Sequence, residues 1–212
     1  NLGLPEINEA FALSKAVIQV QELVDIPLVI DSKKHEAIEK ALIQCNGRPI
    51  INSVNASMQS MKKIFPLAKR YGALVIALTL DGKTIPKTAT SRISLAEKII
   101  KFSNIYIRKQ DIIFDPLIAT ISAEQNRALV TLETLRKLKQ MGFLTIMGIS
   151  NVSTGLPKRE SLNSALLSMA LFKGLDLCLI NPKDNKTIDT FYASLALTGK
   201  DENCLSYIQQ SQ

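Results

Sequence analysis

The sequence predicts an α/β protein whose strands are parallel and buried on both faces. Three observations support this prediction: short apolar runs alternate with longer segments of helical period, one helix-length segment separates each pair of runs, and polar residues follow each run. Alternating strands and helices form parallel sheets through right-handed crossovers. The 212 residues suit one large domain. We therefore expect a single domain over residues 1–212.

The predicted strands are short continuous apolar runs, which are typical of strands covered on both faces. They lie at Pro27–Ile30, Pro49–Ile51, Ala73–Leu78, Ile112–Phe114, Leu144–Ile149 and Leu175–Ile180. A leading helix is predicted from Ile7 to Leu23, and a short helical tail at Leu205 and Ile208. The predicted order is therefore one of strands and helices in strict alternation, beginning with a helix.

Three of the helices show as apolar stripes at helical spacing. The stripes are Met58, Met61, Ile64, Phe65 and Ala68; Ala128, Leu132, Leu135 and Leu138; and Ile188, Phe191, Tyr192, Leu195 and Ala196. Because such stripes usually face a core, we interpret Met58 and Met61 as core residues.

Composition and charge restrict the classes of function. The net charge of +7 favours anionic partners, but the 5% of aromatic residues and the lack of a basic run argue against nucleic acid. No apolar run approaches the ~18 residues of a membrane-spanning helix. Three cysteines without metal-type spacing and a single histidine argue against a zinc site and favour a reduced, cytoplasmic protein.

Polar side chains follow every predicted strand. They are Asp31-Ser32, Asn52-Ser53, Thr79, Asp115-Pro116, Ser150-Asn151 and Asn181. Any one of them could simply cap the next helix. The carboxyl ends of parallel strands are also where barrels and open sheets bind ligands. Carboxylates and carboxamides that converge there suit a flat, nitrogen-rich ring better than a phosphate, which needs a glycine-rich turn.

Two architectures are compatible with these strands: an open doubly wound sheet, and an eight-fold barrel that lacks its beginning. The ordered motifs go further. The clearest is Gly148–Pro157, GISNVSTGLP, followed by Lys158-Arg159, and the others are Ile30–Ser32, Ile51–Ser53, Ile85–Lys87 and Asp115–Ile118. In order and spacing they resemble the pterin-binding methyltetrahydrofolate methyltransferases. That family includes the methyltetrahydrofolate:corrinoid/iron–sulfur protein methyltransferase and the folate domain of cobalamin-dependent methionine synthase.

The resemblance implies a TIM-type (β/α)8 barrel of the pterin-binding, dihydropteroate synthase-like type. Asn1 matches the asparagine that ends the family's second-strand motif. On this basis we expect a barrel that lacks its first βαβ segment, and the family also implies a homodimer.

The implied activity is transfer of the N5-methyl group of methyltetrahydrofolate to the Co(I) corrinoid of a partner protein, such as a corrinoid/iron–sulfur protein, or the reverse. By the same resemblance, Asp31, Asn52, Asp115 and Asn151 bind the pterin, and Arg159 reaches the folate tail. Asn52 is the implied catalytic residue, because N5 must gain a proton or a strong hydrogen bond before it can leave. The corrinoid belongs to the partner, and no metal is expected in this chain.

Two alternatives stay open from the sequence. One is a dihydropteroate synthase-like enzyme, against which the strand-seven sequence Ser150–Pro157 lacks a lysine and a Ser-x-Arg phosphate clamp. The other is an inactive folate-binding fragment. Basic residues that follow the strand ends are expected to surround the mouth: Lys33, Lys34, Lys83, Lys87, Arg92, Lys158, Arg159, Lys183 and Lys186. His35 is interpreted as a solvated residue at a helix start, and Cys45, Cys178 and Cys204 as unreactive.

Overall fold

The computed structural model describes residues 8–82 and 84–210. The strands are β1 Val29–Asp31, β2 Ile50–Asn55, β3 Leu74–Leu78, β4 Ile112–Asp115, β5 Leu144–Gly148 and β6 Leu177–Leu179. The helices are α1 Glu9–Gln21, α2 His35–Ile43, α3 Met58–Tyr71, α4 Ala89–Ser103, α5 Arg127–Gln140, α6 Arg159–Phe172, α7 Asn185–Leu197 and α8 Leu205–Gln210. The predicted alternation is confirmed, and α8 is the predicted tail. Ile7, the expected start of the leading helix, lies outside the described residues.

The chain forms two compact units. The first comprises the described residues up to Ile85 together with Ser94–Phe114, and the second comprises Pro86–Ile93 together with the residues from Asp115 onward. The boundary therefore passes through α4 and the end of β4. Among the helices of the described residues, none is long and apolar enough to cross a bilayer.

In the first unit, β1, β2 and β3 pair in parallel, as predicted. The predicted end of β2 is wrong, because the strand continues past Ile51 to Asn55. Its ladder with β3 pairs Val54 with Ala77 and Asn55 with Leu78 after a register shift. The polar side chains of Asn52 and Ser53 interrupt the apolar run, but the pairing with β3 resumes at Val54 after the register shift. The sequence pattern therefore stops before the strand does.

Helix α3 covers the core of this unit. The Ser57 hydroxyl caps its first turn by accepting from the Ser60 N–H at 3.2 Å, and the helix ends at Gly72, whose φ of 63° lies in the left-handed region that glycine adopts freely. Its buried stripe is Met61, Ile64, Phe65 and Ala68. Met58 is 46% exposed, so its assignment to the core is wrong. It occupies the first turn, beyond the buried part of the helix.

The second unit contains β5 and β6, which also pair in parallel, with Ile146 opposite Leu177 and Gly148 opposite Leu179. Its core is one apolar cluster that joins β5 to α5 and α6. The side chains in it that are no more than 1% exposed are Leu135, Met147, Ile149, Leu166, Leu167, Ala170 and Leu175. Asp184 begins α7 by accepting from the Thr187 N–H at 3.0 Å. This packing fixes the carboxyl end of β5, where the motif Gly148–Pro157 begins.

Candidate active site

The first unit brings together the polar residues predicted on the first two strands. Asp31 ends β1 and is the ladder partner of Asn52 in β2, and the Ser32 N–H donates to the Asn52 carbonyl at 3.4 Å. Residues in register on neighbouring strands share one face of a sheet. The carboxylate of Asp31 and the amide of Asn52 can therefore serve one ligand. The peptide bond between Asn52 and Ser53 is cis.

A buried carboxylate fixes the turn that follows Asp31. The Ser32 hydroxyl donates to Glu9 Oε1 at 2.5 Å, and the Lys34 N–H donates to the Ser32 hydroxyl at 3.0 Å. The Lys34 ammonium lies 3.6 Å from Glu9 Oε2. Glu9 and Ser32 are both buried. The leading helix α1 thus contributes a residue that holds the end of β1, a role that the sequence pattern did not indicate.

In the second unit, Asp115 ends β4 and organises the turn after it. Its Oδ1 atom accepts from the Leu117 N–H at 2.7 Å. Burial raises the pKa of Asp115 to about 6, while the Leu117 N–H and the nearby Arg92 guanidinium act in the opposite direction. A carboxyl group with this pKa changes charge near physiological pH, which is a common property of functional sites.

Arg92 differs from the other basic residues that were expected around the mouth, because it is buried. Its side chain is only 2% exposed, and it donates to backbone carbonyls in the second unit rather than to water. The sequence does contain a signal for this position, because Arg92 lies at helical spacing from the buried Ala96 and Ile99 of α4. An arginine on the apolar face of a helix has to find polar partners inside the protein.

Asn151 and Arg159 lie together at the carboxyl end of β5. Asn151 belongs to the short 3-10 helix Ile149–Ser153, and a Cβ added to Gly148 would lie only 3.1 Å from the Asn151 amide nitrogen. Arg159 donates to the Ser150 carbonyl at 2.9 Å and to the Ser153 hydroxyl at 3.1 Å. Arg159 therefore braces the segment that carries Asn151.

A buried polar network continues from this segment. The Ser153 hydroxyl donates to Asn163 Oδ1 at 2.8 Å, and the Asn163 amide reaches Asp184 Oδ2 at 3.4 Å. Hydrogen bonds from Thr187 and Asn163 outweigh burial and lower the pKa of Asp184. Asn163 and Ser153 were not singled out as site residues from the sequence. Both side chains are buried, and their hydrogen bonds help to hold the segment that carries the motif.

The remaining basic residues of the predicted mouth are exposed, as expected for solvated cations. In the first unit these are Lys33 and Lys34. In the second they are Lys87, Lys158, Lys183 and Lys186, and the Lys186 ammonium donates to the Ser161 hydroxyl at 2.8 Å. Lys83 lies outside the described residues. These cations give each unit a positive potential that would attract an anionic ligand or partner.

The other candidate reactive groups have properties of structural residues. Burial raises the pKa of the Cys178 thiol to about 11 and also raises that of Cys45. A raised thiol pKa leaves little thiolate at neutral pH, which opposes a nucleophilic role. His35 begins α2, and burial and Lys63 lower its pKa. Within residues 8–82 and 84–210, no group of three His, Cys, Asp or Glu side chains is arranged to hold a metal ion.

Comparison with known proteins identifies what this chain is similar to. The profile of the Pterin binding enzyme family matches residues 5–181. The methylcorrinoid:tetrahydrofolate methyltransferase of Eubacterium limosum is 28% identical over 209 residues, which cover 96% of this chain and 76% of that protein. Methionine synthase of Mycobacterium tuberculosis is 30% identical over 171 residues, which cover 74% of this chain and 14% of the synthase.

The fold is that of solved dihydropteroate synthases. The enzyme of Yersinia pestis superposes with a TM-score of 0.70 over 94% of this chain and 80% of that one, at 14% sequence identity. At this identity the likeness concerns the fold alone. It confirms a parallel α/β fold similar to those barrels.

Proposed function

This chain belongs to the pterin binding enzyme family, and we propose that it transfers the N5-methyl group of methyltetrahydrofolate to the Co(I) corrinoid of a partner protein, or catalyses the reverse transfer. The observation that carries the proposal is the set of carboxylates and amides at the strand ends. Asp31 and Asn52 are in register in the first unit, and Asp115 has a pKa raised to about 6 in the second. The predicted methyltransferase class is confirmed by the relatives.

In the proposed reaction the corrinoid of the partner supplies the nucleophile. The methyl carbon would bond to the partner's Co(I), which supplies the electron pair, as the N5–methyl bond breaks and its electron pair returns to N5. A tertiary amine nitrogen is a poor leaving group, so N5 needs a proton or a strong hydrogen bond as the bond breaks. We assign this support to Asn52, whose amide can donate or accept and so favour the transition state over bound substrate.

The other residues would bind and orient the pterin. Asp31 and Asp115 are the acceptors for its ring N–H and amino groups, because ionised carboxylates offer only acceptor atoms. Asn151 is assigned a further amide contact with the ring. Arg159 is assigned to the anionic tail of the folate, and its bonds to Ser150 and Ser153 support that role by holding the guanidinium in place.

The finer features of the family extend this proposal. A first βαβ segment is proposed to precede Asn1, because the motif there matches the end of the family's second strand. An in-frame upstream sequence carrying Arg-Ile-Asn and Asp-x-Asn motifs would support it, and an upstream sequence without them would contradict it. A homodimer and a cytoplasmic location stay predictions.

Calorimetric titration of the intact protein with methyltetrahydrofolate tests the binding step. We expect saturable heat that folate suppresses by competition. A single-turnover assay with cob(I)alamin then tests methyl transfer. A control variant is Asp111→Asn, which removes the carboxylate that precedes β4 and leaves Asp115, the carboxylate that ends it. Absence of heat at millimolar ligand, without competition by folate, would contradict the proposal.

A further inference from the structure

Arg92 is one of the largest fully buried side chains among the described residues. Its Nε atom donates to the Pro86 carbonyl at 2.9 Å. Its Nη1 atom donates to the carbonyls of Pro116 and Leu117, both at 2.7 Å, and to the Thr131 hydroxyl at 3.0 Å. A single guanidinium therefore makes hydrogen bonds to three parts of the second unit: the segment before α4, the turn after β4, and helix α5.

The turn held in this way has a costly backbone conformation. Leu117 has a φ of 61°, in the left-handed region that side-chain-bearing residues rarely adopt. Its N–H donates to Asp115 Oδ1, and its carbonyl accepts from Arg92 at 2.7 Å and from the Thr131 hydroxyl at 2.8 Å. Such a conformation persists where surrounding contacts over-determine it. Arg92 and Thr131 are those contacts, and Asp115 is the side chain whose orientation they fix.

We propose that Arg92 is a positioning residue for methyltetrahydrofolate binding, which holds the Asp115–Leu117 turn so that the Asp115 carboxylate is oriented and ionised when the pterin binds. This proposal rests on the proposed function, since it assigns Asp115 to the pterin. Arg92 itself contacts carbonyls and a hydroxyl, so it acts through Asp115 rather than on the substrate.

The charge of Arg92 matters as well as its hydrogen bonds. Burial and the neighbouring Arg127 lower the pKa of Arg92 to about 10, and Asp115 opposes this shift, so the guanidinium is cationic at neutral pH. Arg127, at the start of α5, is itself 3.5 Å from Glu124. Burial would raise the pKa of Asp115 still further without the attraction of Arg92. Replacing Arg92 by a neutral residue should therefore leave more of Asp115 protonated at pH 7.

The test measures methyltetrahydrofolate affinity by calorimetry between pH 5 and 8 for the intact wild-type protein, four single variants and one double variant. In the wild type we expect affinity to fall as the pH decreases from 8 to 5, with a midpoint near pH 6. Arg92→Gln keeps donor groups but removes the charge, and should weaken binding about tenfold at pH 7 and move the midpoint upward. Arg92→Lys should restore the midpoint, though not the full affinity, because one ammonium cannot reach all of the acceptors.

Two further variants separate positioning from charge. Thr131→Val removes one bond to the Leu117 carbonyl and keeps the Arg92 charge, so affinity should fall about threefold with an unchanged midpoint. Asp115→Asn should remove the pH dependence of affinity. The double variant of Asp115→Asn with Arg92→Gln should bind only slightly more weakly than Asp115→Asn alone. Near-ultraviolet circular dichroism and a thermal melt establish that each variant is folded, and Arg92→Lys and Thr131→Val carry the test if Arg92→Gln does not fold.

The outcomes distinguish the two proposals. If the wild-type protein does not bind methyltetrahydrofolate, the proposed function fails and the role of Arg92 fails with it. If the wild type binds but Arg92→Gln keeps its affinity and midpoint, only the role of Arg92 is overturned. If Arg92→Gln and Arg92→Lys lose affinity equally with the wild-type midpoint, Arg92 serves structure alone and the proposal is also overturned.

Discussion

Strand β4 has a carboxylate near each end, and the two have opposite environments. Asp111, just before the strand, is 2.7 Å from Arg48 and 3.2 Å from Arg108. Burial alone would raise its pKa, but the hydrogen bonds from Arg108 and Arg48 outweigh burial and lower it. Asp115, the last residue of the strand, has a pKa raised to about 6 despite the cation of Arg92.

The difference lies in what the arginines bind. Arg48 and Arg108 donate directly to the Asp111 carboxylate, and these pairs satisfy it as part of the structure. Arg92 instead donates hydrogen bonds to the backbone carbonyls of Pro116 and Leu117, and so holds the turn next to Asp115. A barrel keeps its stability at the amino ends of its strands and its chemistry at the carboxyl ends. Under the proposed function, Asp111 and Asp115 would divide in the same way along this strand.

The largest expected effect comes from exchanging each carboxylate for an amide. Asp115→Asn should weaken methyltetrahydrofolate binding about 100-fold, because a pterin N–H would meet an amide where a charged acceptor stood. Asp111→Asn should leave binding unchanged and lower the free energy of unfolding by about 2 kcal/mol. Calorimetry and urea unfolding measure the two quantities. Equal losses of binding in the two variants would remove the functional distinction between the ends of the strand.

A second test compares two residues of the carboxyl end in the first unit. If Asn52 supports the proton at N5, Asn52→Ala should lower the saturated rate of transfer to cob(I)alamin by about 100-fold. Asp31→Ala should act mainly on binding, because the contact proposed for Asp31 is with an edge of the ring distant from N5. Single-turnover kinetics with saturating methyltetrahydrofolate separate the two. A wild-type saturated rate in Asn52→Ala would make Asn52 a ring anchor.

Stability against pH gives a third test. The raised pKa of Asp115 makes a contribution to stability that is fully present below about pH 4 and is lost as the pH rises through about 6. The lowered pKa of Asp111 makes a contribution to stability that is present above about pH 4. This contribution is lost as the pH falls through the pKa of Asp111 in the folded protein. At pH 7, Asp115→Asn should therefore be more stable than the wild type and Asp111→Asn less stable.

Urea unfolding at pH 4, 5, 6 and 7 measures both differences. The advantage of Asp115→Asn should shrink as the pH falls toward 4, while the deficit of Asp111→Asn should persist there and shrink only at lower pH. Parallel curves for the wild type and Asp115→Asn would show that Asp115 does not titrate differently in the folded and unfolded states.

The sequence predicted the strands, their parallel pairing and the polar residues at their ends, because apolar runs and their periodicity are local properties. It did not predict the continuation of β2 past Asn52, since a backbone ladder tolerates polar side chains that break the pattern. It also did not predict the burial of Arg92, because partners such as Thr131 lie far along the chain. Burial of a charge depends on such distant acceptors, and a pattern of neighbouring residues does not contain them.

The smallest expected effect concerns one arginine at the amino end. Arg48 donates to Asp111 at 2.7 Å and to the Gly72 carbonyl at 2.8 Å, and 45% of its side chain is exposed. Arg48→Met should lower the free energy of unfolding by about 1 kcal/mol, because Arg108 still pairs with Asp111 and solvent already screens the lost contact. Methyltetrahydrofolate binding should not change.

The matched control is Arg70→Met, which removes the more exposed pair with Glu39 at 3.2 Å and should have no measurable effect. The deficit of Arg48→Met should shrink as the pH falls through the lowered pKa of Asp111, because the protonated carboxyl group no longer attracts the guanidinium. If Arg48→Met instead weakened methyltetrahydrofolate binding, the amino end of β4 would take part in the function, and the division between stability and chemistry along this strand would not hold.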